Sequence, residues 1–232
     1  KAGVYHPDYE GTVFNSVADY FAWKGTSPET RPPVIGFALH QHYISSDLTH
    51  FIDQTIRTIE ARGAVALAFY TPFEDERAFE KLLTLKGTLV ADALINSQIM
   101  LRSDLRRTEF ERLGIPVIQA MPYRRGDVGE WERDPAGVHL MDVPFYLAQP
   151  EYAGVMDAMT AAASRRSDGQ IVAIPGQVEA VVEKALNLVQ LQRAPNADKR
   201  VALFYWNYPP GETNLGASYL NVPRSLAGAL TA

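Results

Sequence analysis

Val34-Ile-Gly-Phe-Ala-Leu39, the segment from Ser46 to Gly63, and then Ala64-Val-Ala-Leu-Ala-Phe-Tyr70 decide the fold. The two outer runs are short, apolar and unbroken, as strands covered on both faces are. Between them Leu48, Phe51, Ile52, Thr55, Ile56 and Ile59 recur at helical spacing; Ser46 or Asp47 can cap the start and Gly63 the end. Two such strands joined through a helix pair in parallel, because parallel neighbours need a crossover. The alternation continues outward. Glu74–Lys86 predicts a helix with Phe79, Leu82 and Leu83 on one side, and Leu89–Ile95 a third strand. Ser103–Leu113 predicts a charged helix ended by Gly114, and Ile115–Ala120 a fourth strand. The expected fold class is α/β, with a parallel sheet in a Rossmann-like or flavodoxin-like three-layer unit.

Beyond Met121 the pattern loosens. Pro122, Pro135, Pro144 and Pro150 interrupt it, and Tyr152–Ser164 reads as a helix. Ile171–Ile174 reads as a short strand, and Pro175 as the first position of a long helix to about Arg193. Pro195–Asp198 is a break, after which Lys199–Trp206 restarts as a strand. These limits predict a lead-in segment over 1–32 and a first α/β domain over 33–195, irregular at 121–170. The beginning of a second α/β domain follows over 196–232. Lys1-Ala-Gly-Val-Tyr-His-Pro7 has neither an initiator Met nor the look of a secretory signal. The chain ends in the apolar run Leu226–Ala232, and both ends read as cuts from a longer protein.

Composition narrows the function classes. With 47% hydrophobic and 21% charged residues over 232 positions, the chain is neither disordered nor of low complexity. A net charge of −5 argues against a duplex nucleic-acid partner. The longest apolar runs fall far below the ~20 residues needed to span a bilayer. Cysteine is absent, which removes disulfides, thiol catalysis and thiolate metal sites.

Three places carry candidate chemistry. Gly211, Gly216, Ala217 and Ser218 approach the phosphate-loop spacing, but Ala217 stands where that motif needs a lysine, so an NTPase is excluded. What remains is a loop between strand and helix that suits an anion, or an ordinary connection. His40 and His42 follow the first strand; in extended backbone both would project from one face toward a ligand or metal. Two imidazoles are half a closed zinc shell, with Asp47 and His50 nearby, and ordinary loop histidines fit equally. Glu151 begins a predicted helix, where it serves the helix dipole or acts as a base or cation-attracting group. The arginines at 102, 106, 107 and 112 read as a solvated helix face.

The run Asn196-Ala-Asp-Lys-Arg-Val-Ala-Leu-Phe-Tyr-Trp-Asn-Tyr-Pro-Pro-Gly211 with Asn214-Leu-Gly-Ala-Ser-Tyr-Leu-Asn-Val-Pro-Arg-Ser-Leu226 resembles the CobN/magnesium chelatase family. Gly3–Asp8, Pro33–His42, Ala93–Ser97, Ile115–Gln119 and Pro150-Glu151 fall in that family's order. The resemblance implies a body fragment of the large, tetrapyrrole-binding subunit of a cobaltochelatase-like enzyme, inactive alone. Its substrate would be a corrinoid such as hydrogenobyrinic acid a,c-diamide, or a porphyrin. A divalent metal, cobalt or magnesium, would be inserted while ATP is hydrolysed by partner AAA+ subunits, alongside an integrin-domain subunit and the rest of its own longer chain. By position the resemblance assigns catalysis and metal contact to His42 and Glu151. It assigns substrate contacts to His40, Tyr208, Asn214, Ser218 and Tyr219. The family's Asp-Gly after that glutamate is Ala153-Gly154 here, which departs from a paired-carboxylate site. A cytoplasmic location follows. The alternatives are a haem-uptake protein that removes metal, which permits a periplasmic home, and a two-lobed ligand-binding module without chemistry.

Overall fold

The strand–helix–strand unit read at Val34–Tyr70 is present in the computed structural model, which describes residues 2–26, 32–72, 75–204 and 220–231. The described chain divides into two compact units, Lys1–Arg193 and Ala194–Ala232. In the first unit the order begins β1 (Gly3–Tyr5), β2 (Val13–Phe14), α1 (Val17–Lys24), β3 (Val34–Ala38), α2 (Gln41–Ser45), α3 (His50–Ala61) and β4 (Val65–Tyr70). It continues with α4 (Ala78–Leu83), β5 (Thr84–Leu85), β6 (Thr88–Leu89), β7 (Ala93–Asn96), α5 (Ser103–Leu113) and β8 (Val117–Tyr123). Then come α6 (Val128–Arg133), a π-helical turn at Pro144–Ala148, α7 (Gln149–Tyr152), β9 (Asp157–Ser164), β10 (Ile171–Ala173) and α8 (Gln177–Arg193).

Eight strands form one sheet in the order β10-β9-β8-β7-β3-β4-β1-β2. The five from β9 to β4 run parallel, and β10, β1 and β2 pair antiparallel at the two margins. Taking the parallel strands in chain order, this is the 2-1-3-4-5 flavodoxin-like arrangement. Every residue of β3 is buried, and the pleat divides them between two layers. Ile35 and Phe37 join Phe51, Ile56 and Val182 under α3 and α8; Val34 and Ala38 join Phe21, Phe79 and Phe110 under α1, α4 and α5. Helices on both faces are what unbroken apolar strands require.

Residues 2–26 are woven into the sheet. Gly3 pairs with Tyr70 and Val4 with Phe69. The His6 side chain, fully buried, places Nε2 3.0 Å from Glu60 Oε1, while the Asp8 N–H donates to His6 Nδ1 at 3.2 Å. With Nδ1 accepting, the ring proton sits on Nε2 and donates to the carboxylate. Lys24 of α1 binds the same carboxylate, so Glu60 ties β1, α1 and α3 together.

Several elements differ from expectation for identifiable reasons. The helix expected over Glu74–Lys86 is confined to Ala78–Leu83, because Lys86 (φ 51°) and Gly87 (φ 80°) turn the chain into the β5–β6 hairpin. The third strand correspondingly begins at Ala93 rather than Leu89. The helix expected over Tyr152–Ser164 is α7 at its start and the strand β9 for the rest. Alanine favours helix locally, but Ala161, Ala162 and Ala163 lie buried between β8 and β10 with α8 packed over β9. Ladder pairing and small side chains beneath a helix override the propensity. The long helix starts at Gln177, after Gly176 at φ 78°, rather than at Pro175.

In the second unit the strand expected over Lys199–Trp206 is not formed by residues 199–204; residues 205–206 lie outside the described ones. Val201 and Phe204 are exposed there, and among the described residues no strand lies beside them to take the backbone bonds. Its described elements are a 3₁₀ turn at Asn196–Asp198 and α9 (Val222–Thr231).

Two stability experiments follow. A Cβ at Gly36 would lie 2.7 Å from Leu83 Cδ2 and 3.3 Å from Leu94 Cδ1. Gly36→Val is therefore expected to cost about 1–3 kcal/mol by overpacking, read as a lower urea midpoint with an unchanged slope. At Glu60, burial pushes the pKa up, but hydrogen bonds from Lys24 and His6 outweigh it and hold the carboxyl below its ordinary value. A carboxyl lowered on folding stabilises above its unfolded pKa and loses that contribution as pH falls through the folded one. Urea midpoints taken from pH ~7 to ~3 are expected to fall less steeply in Glu60→Gln than in the wild type.

Candidate functional site

From β3 the chain moves to one side to form β4, then returns past β3 to form β7. The connections leaving β3 and β7 therefore diverge, and a crevice opens beyond their carboxyl ends. A cavity of about 390 Å³ lies there. The segment after β3 supplies His40, His42, Tyr43 and Leu48, that after β7 supplies Ser97 and Ile99, and that after β8 supplies Arg124. Tyr146 of the π-helical turn and Ile171, where β10 enters at the same edge, complete the wall.

The two histidines meet in a different way from the one expected. The backbone is still extended at His40 (φ −80°, ψ 132°), which caps α2, and turns helical from Gln41; His40 Nδ1 accepts the His42 N–H at 3.1 Å. The ring centroids are 6.3 Å apart, brought together by a helical turn rather than by strand alternation. His42 Nδ1 is 3.0 Å from Ser46 Oγ. Asp47 caps nothing: it takes a left-handed turn (φ 54°), and its carbonyl accepts from Gln170 Nε2 at 2.6 Å. α3 then starts one residue after Thr49.

Ser97 is held by a buried amide clamp. Asn96 Nδ2 donates to Gln119 Oε1 at 2.7 Å and to the Gln98 carbonyl at 3.1 Å. Gln119 Nε2 donates to the same Gln98 carbonyl, and Gln98 Nε2 to the Leu39 carbonyl at 2.7 Å. The Ser97 N–H donates to the Ala38 carbonyl, which fixes the β7 loop against β3. Ser97 itself is 2% exposed and its hydroxyl has no partner.

Arg124 lies over the Tyr146 ring at 5.7 Å, with the Tyr43 hydroxyl beside it. Burial works against its charge, but Tyr146, Tyr43 and the field of Asp142 outweigh that and keep it cationic. Burial pushes the Tyr43 and Tyr146 hydroxyls up, so both stay protonated. Burial first, then His42 and Arg124, pushes His40 below the ordinary histidine value, leaving a neutral ring at pH ~7.

Glu151 is elsewhere. It is exposed on α7 and lines a second cavity, of about 370 Å³, with Pro150, Met156, Asp157 and Ala158. Those last residues open β9, at the amino edge of the parallel strands, whereas His42 follows the carboxyl end of β3. The structure thus does not bring His42 and Glu151 into one cavity. Among the described residues no three of His, Cys, Asp and Glu group as a metal site, and Asp47 and His50 do not line the histidine cavity. Tyr208, Asn214, Ser218 and Tyr219 lie outside the described residues. Arg124, Tyr43 and Tyr146 belong to no quoted motif, and Ser97 only ends the Ala93–Ser97 stretch. Their available signal was position: Asn96-Ser-Gln98 and Arg124-Arg125 are polar groups that directly follow apolar strands.

A 2-1-3-4-5 sheet with a cavity at its switch point defines a flavodoxin-like α/β unit. The chain belongs to the CobN/Magnesium Chelatase family, which it matches over residues 1–232. It is 26% identical over 249 residues to the chloroplastic magnesium-chelatase subunit ChlH of Oryza sativa, covering 99% of this chain and 18% of that protein. To the aerobic cobaltochelatase subunit CobN of Sinorhizobium sp it is 26% identical over 216 residues, covering 87% of this chain and 17% of that one. The catalytic subunit of cobaltochelatase from Mycobacterium tuberculosis superposes with a TM-score of 0.64 at 20% identity, over 86% of this chain and 16% of that one. The chain therefore spans about a fifth of the length of these relatives. Among the described residues no helix is long and apolar enough to cross a membrane.

The clamp makes a measurable claim. Asn96→Ala strands the Gln119 Oε1 acceptor and the Gln98 N–H in a buried place and is expected to lower unfolding free energy by about 1–3 kcal/mol in urea denaturation.

Proposed function

We propose that this chain forms part of the tetrapyrrole-binding body of a metal chelatase large subunit. Its substrates are a corrinoid or a porphyrin and a divalent ion, cobalt or magnesium, and ATP is hydrolysed on separate AAA+ subunits. The observation that carries this reading is the cavity at the β3/β7 switch point, imidazole-lined and cationic, in a chain of this family. Metal insertion must remove water from the ion, bend the macrocycle and take away two pyrrole protons. Imidazoles suit the first and last of these tasks.

In this reading His42 works at the cavity. With Nδ1 engaged by Ser46, its Nε2 is the atom for a pyrrole proton or the incoming ion. His40, neutral and capping α2, positions His42 and faces the macrocycle. Glu151, an exposed carboxylate in a cavity of its own, receives the hydrated ion separately. Tyr208, Asn214, Ser218 and Tyr219 supply further macrocycle contacts.

The test separates chemistry from binding in the full-length protein with its partner subunits and ATP. His42→Ala and Glu151→Gln are each expected to lower metal transfer at least about tenfold while tetrapyrrole affinity, read by absorbance titration, changes by less than about threefold. Equal losses of transfer and affinity would assign both residues to the scaffold.

A further inference from the structure

We propose that the cavity beyond β3, β7 and β8 is a carboxylate subsite, in which Arg124 and Ser97 bind an acidic side chain on the rim of the tetrapyrrole. This rests on the tetrapyrrole reading above and goes further, because it says which part of the ligand enters and what holds it.

Charge is the first reason. No acidic side chain lines this cavity, whereas Arg124 does. Other arginines of the first unit are committed to carboxylates: Arg57 to Asp8, Arg62 to Glu183, Arg106 to Glu109, Arg165 to Asp168 and Arg193 to Asp92. Arg124 instead meets a tyrosine hydroxyl and an aromatic face, with Asp142 acting on it only as a field. A guanidinium packed on an aromatic ring keeps its planar fork for a planar anion.

The second reason is independent of charge. Ser97 is buried, and its hydroxyl has no hydrogen-bond partner although four amide hydrogen bonds fix the loop that carries it. A buried hydroxyl without a partner is costly, and a ligand atom is the natural remedy where its residue lines a cavity. One fork and one hydroxyl make a donor set for the two oxygens of a carboxylate. Ile99, Leu48, Ile171 and the Tyr146 ring give the rest of the wall an apolar surface for the carbon chain behind that carboxylate. A cavity of about 390 Å³ takes such an arm and one edge of the ring.

Protoporphyrin IX and its dimethyl ester differ only in whether the two side-chain carboxylates are free, and both are followed by absorbance titration of the full-length protein. The wild type is expected to bind the free acid about tenfold or more tightly than the ester, as a charge-assisted fork would give. Arg124→Gln is expected to lower free-acid affinity to that of the ester and to leave ester binding unchanged. Arg124→Lys keeps part of the preference, and Ser97→Ala loses a smaller part. Equal weakening of acid and ester by Arg124→Gln, or a preference that survives it, overturns the subsite. Wild-type binding of both forms with equal affinity overturns the subsite and leaves the tetrapyrrole reading standing. Binding of neither form overturns the subsite and confines the tetrapyrrole reading to a corrinoid.

Discussion

β3 pairs in parallel with β4 on one side and β7 on the other, and the remaining architecture depends on that double pairing. A strand paired on both edges and covered on both faces has nowhere to place a side chain except in a packed layer. Hence Ile35 and Phe37 serve one layer and Val34 and Ala38 the other, with Gly36 admitting Leu83. Because β4 and β7 flank β3, the chain must leave β3 and β7 in opposite directions. The cavity is a consequence of connectivity, and the side chains that follow the strand ends set its chemistry.

Polar interactions then make that opening specific. The Asn96–Gln98–Gln119 clamp fixes the loop that brings Ser97 to its wall, where the ladder ends and backbone groups would otherwise lack partners. The clamp takes up amide groups on three segments yet leaves the Ser97 hydroxyl unpartnered. Above it two protonated tyrosines face a cation, and the neutral His40 adds no second positive charge. The result is a cavity with a guanidinium and no carboxylate in its wall.

The candidate site was legible only in part. His40 and His42 were found because they follow the first strand, and they do line the cavity, but through a capped helical turn that strand alternation did not anticipate. Glu151 was found at the start of a predicted helix and paired with His42 by the family resemblance, but it lines a different cavity, because the chain between Tyr146 and β9 carries it toward the amino edge of the sheet. Arg124 was hidden among surface arginines, since nothing local distinguishes one that will end against two tyrosines from one that meets solvent. Ser97 was quoted only as part of a strand, and its unpartnered hydroxyl exists only once Gln98 and Gln119 are clamped around it.

The strands at Val34–Ala38 and Val65–Tyr70, the helices closed by Gly63 and Gly114, and the parallel α/β class were written in the amino-acid order. Unbroken apolar runs and helical periodicity are local signals, and a parallel pair has few ways to be connected. Tertiary structure alone decided that Asp157–Ser164 is a strand rather than a helix, since alanine's preference yields only when β8 and β10 offer their ladders. It alone drew His6, Glu60 and Lys24 into one cluster, and His42, Ser97, Arg124 and Tyr146 around one cavity. Those groups are far apart along the chain, and their meeting depends on strand order, a property of the whole sheet that no short stretch of sequence encodes.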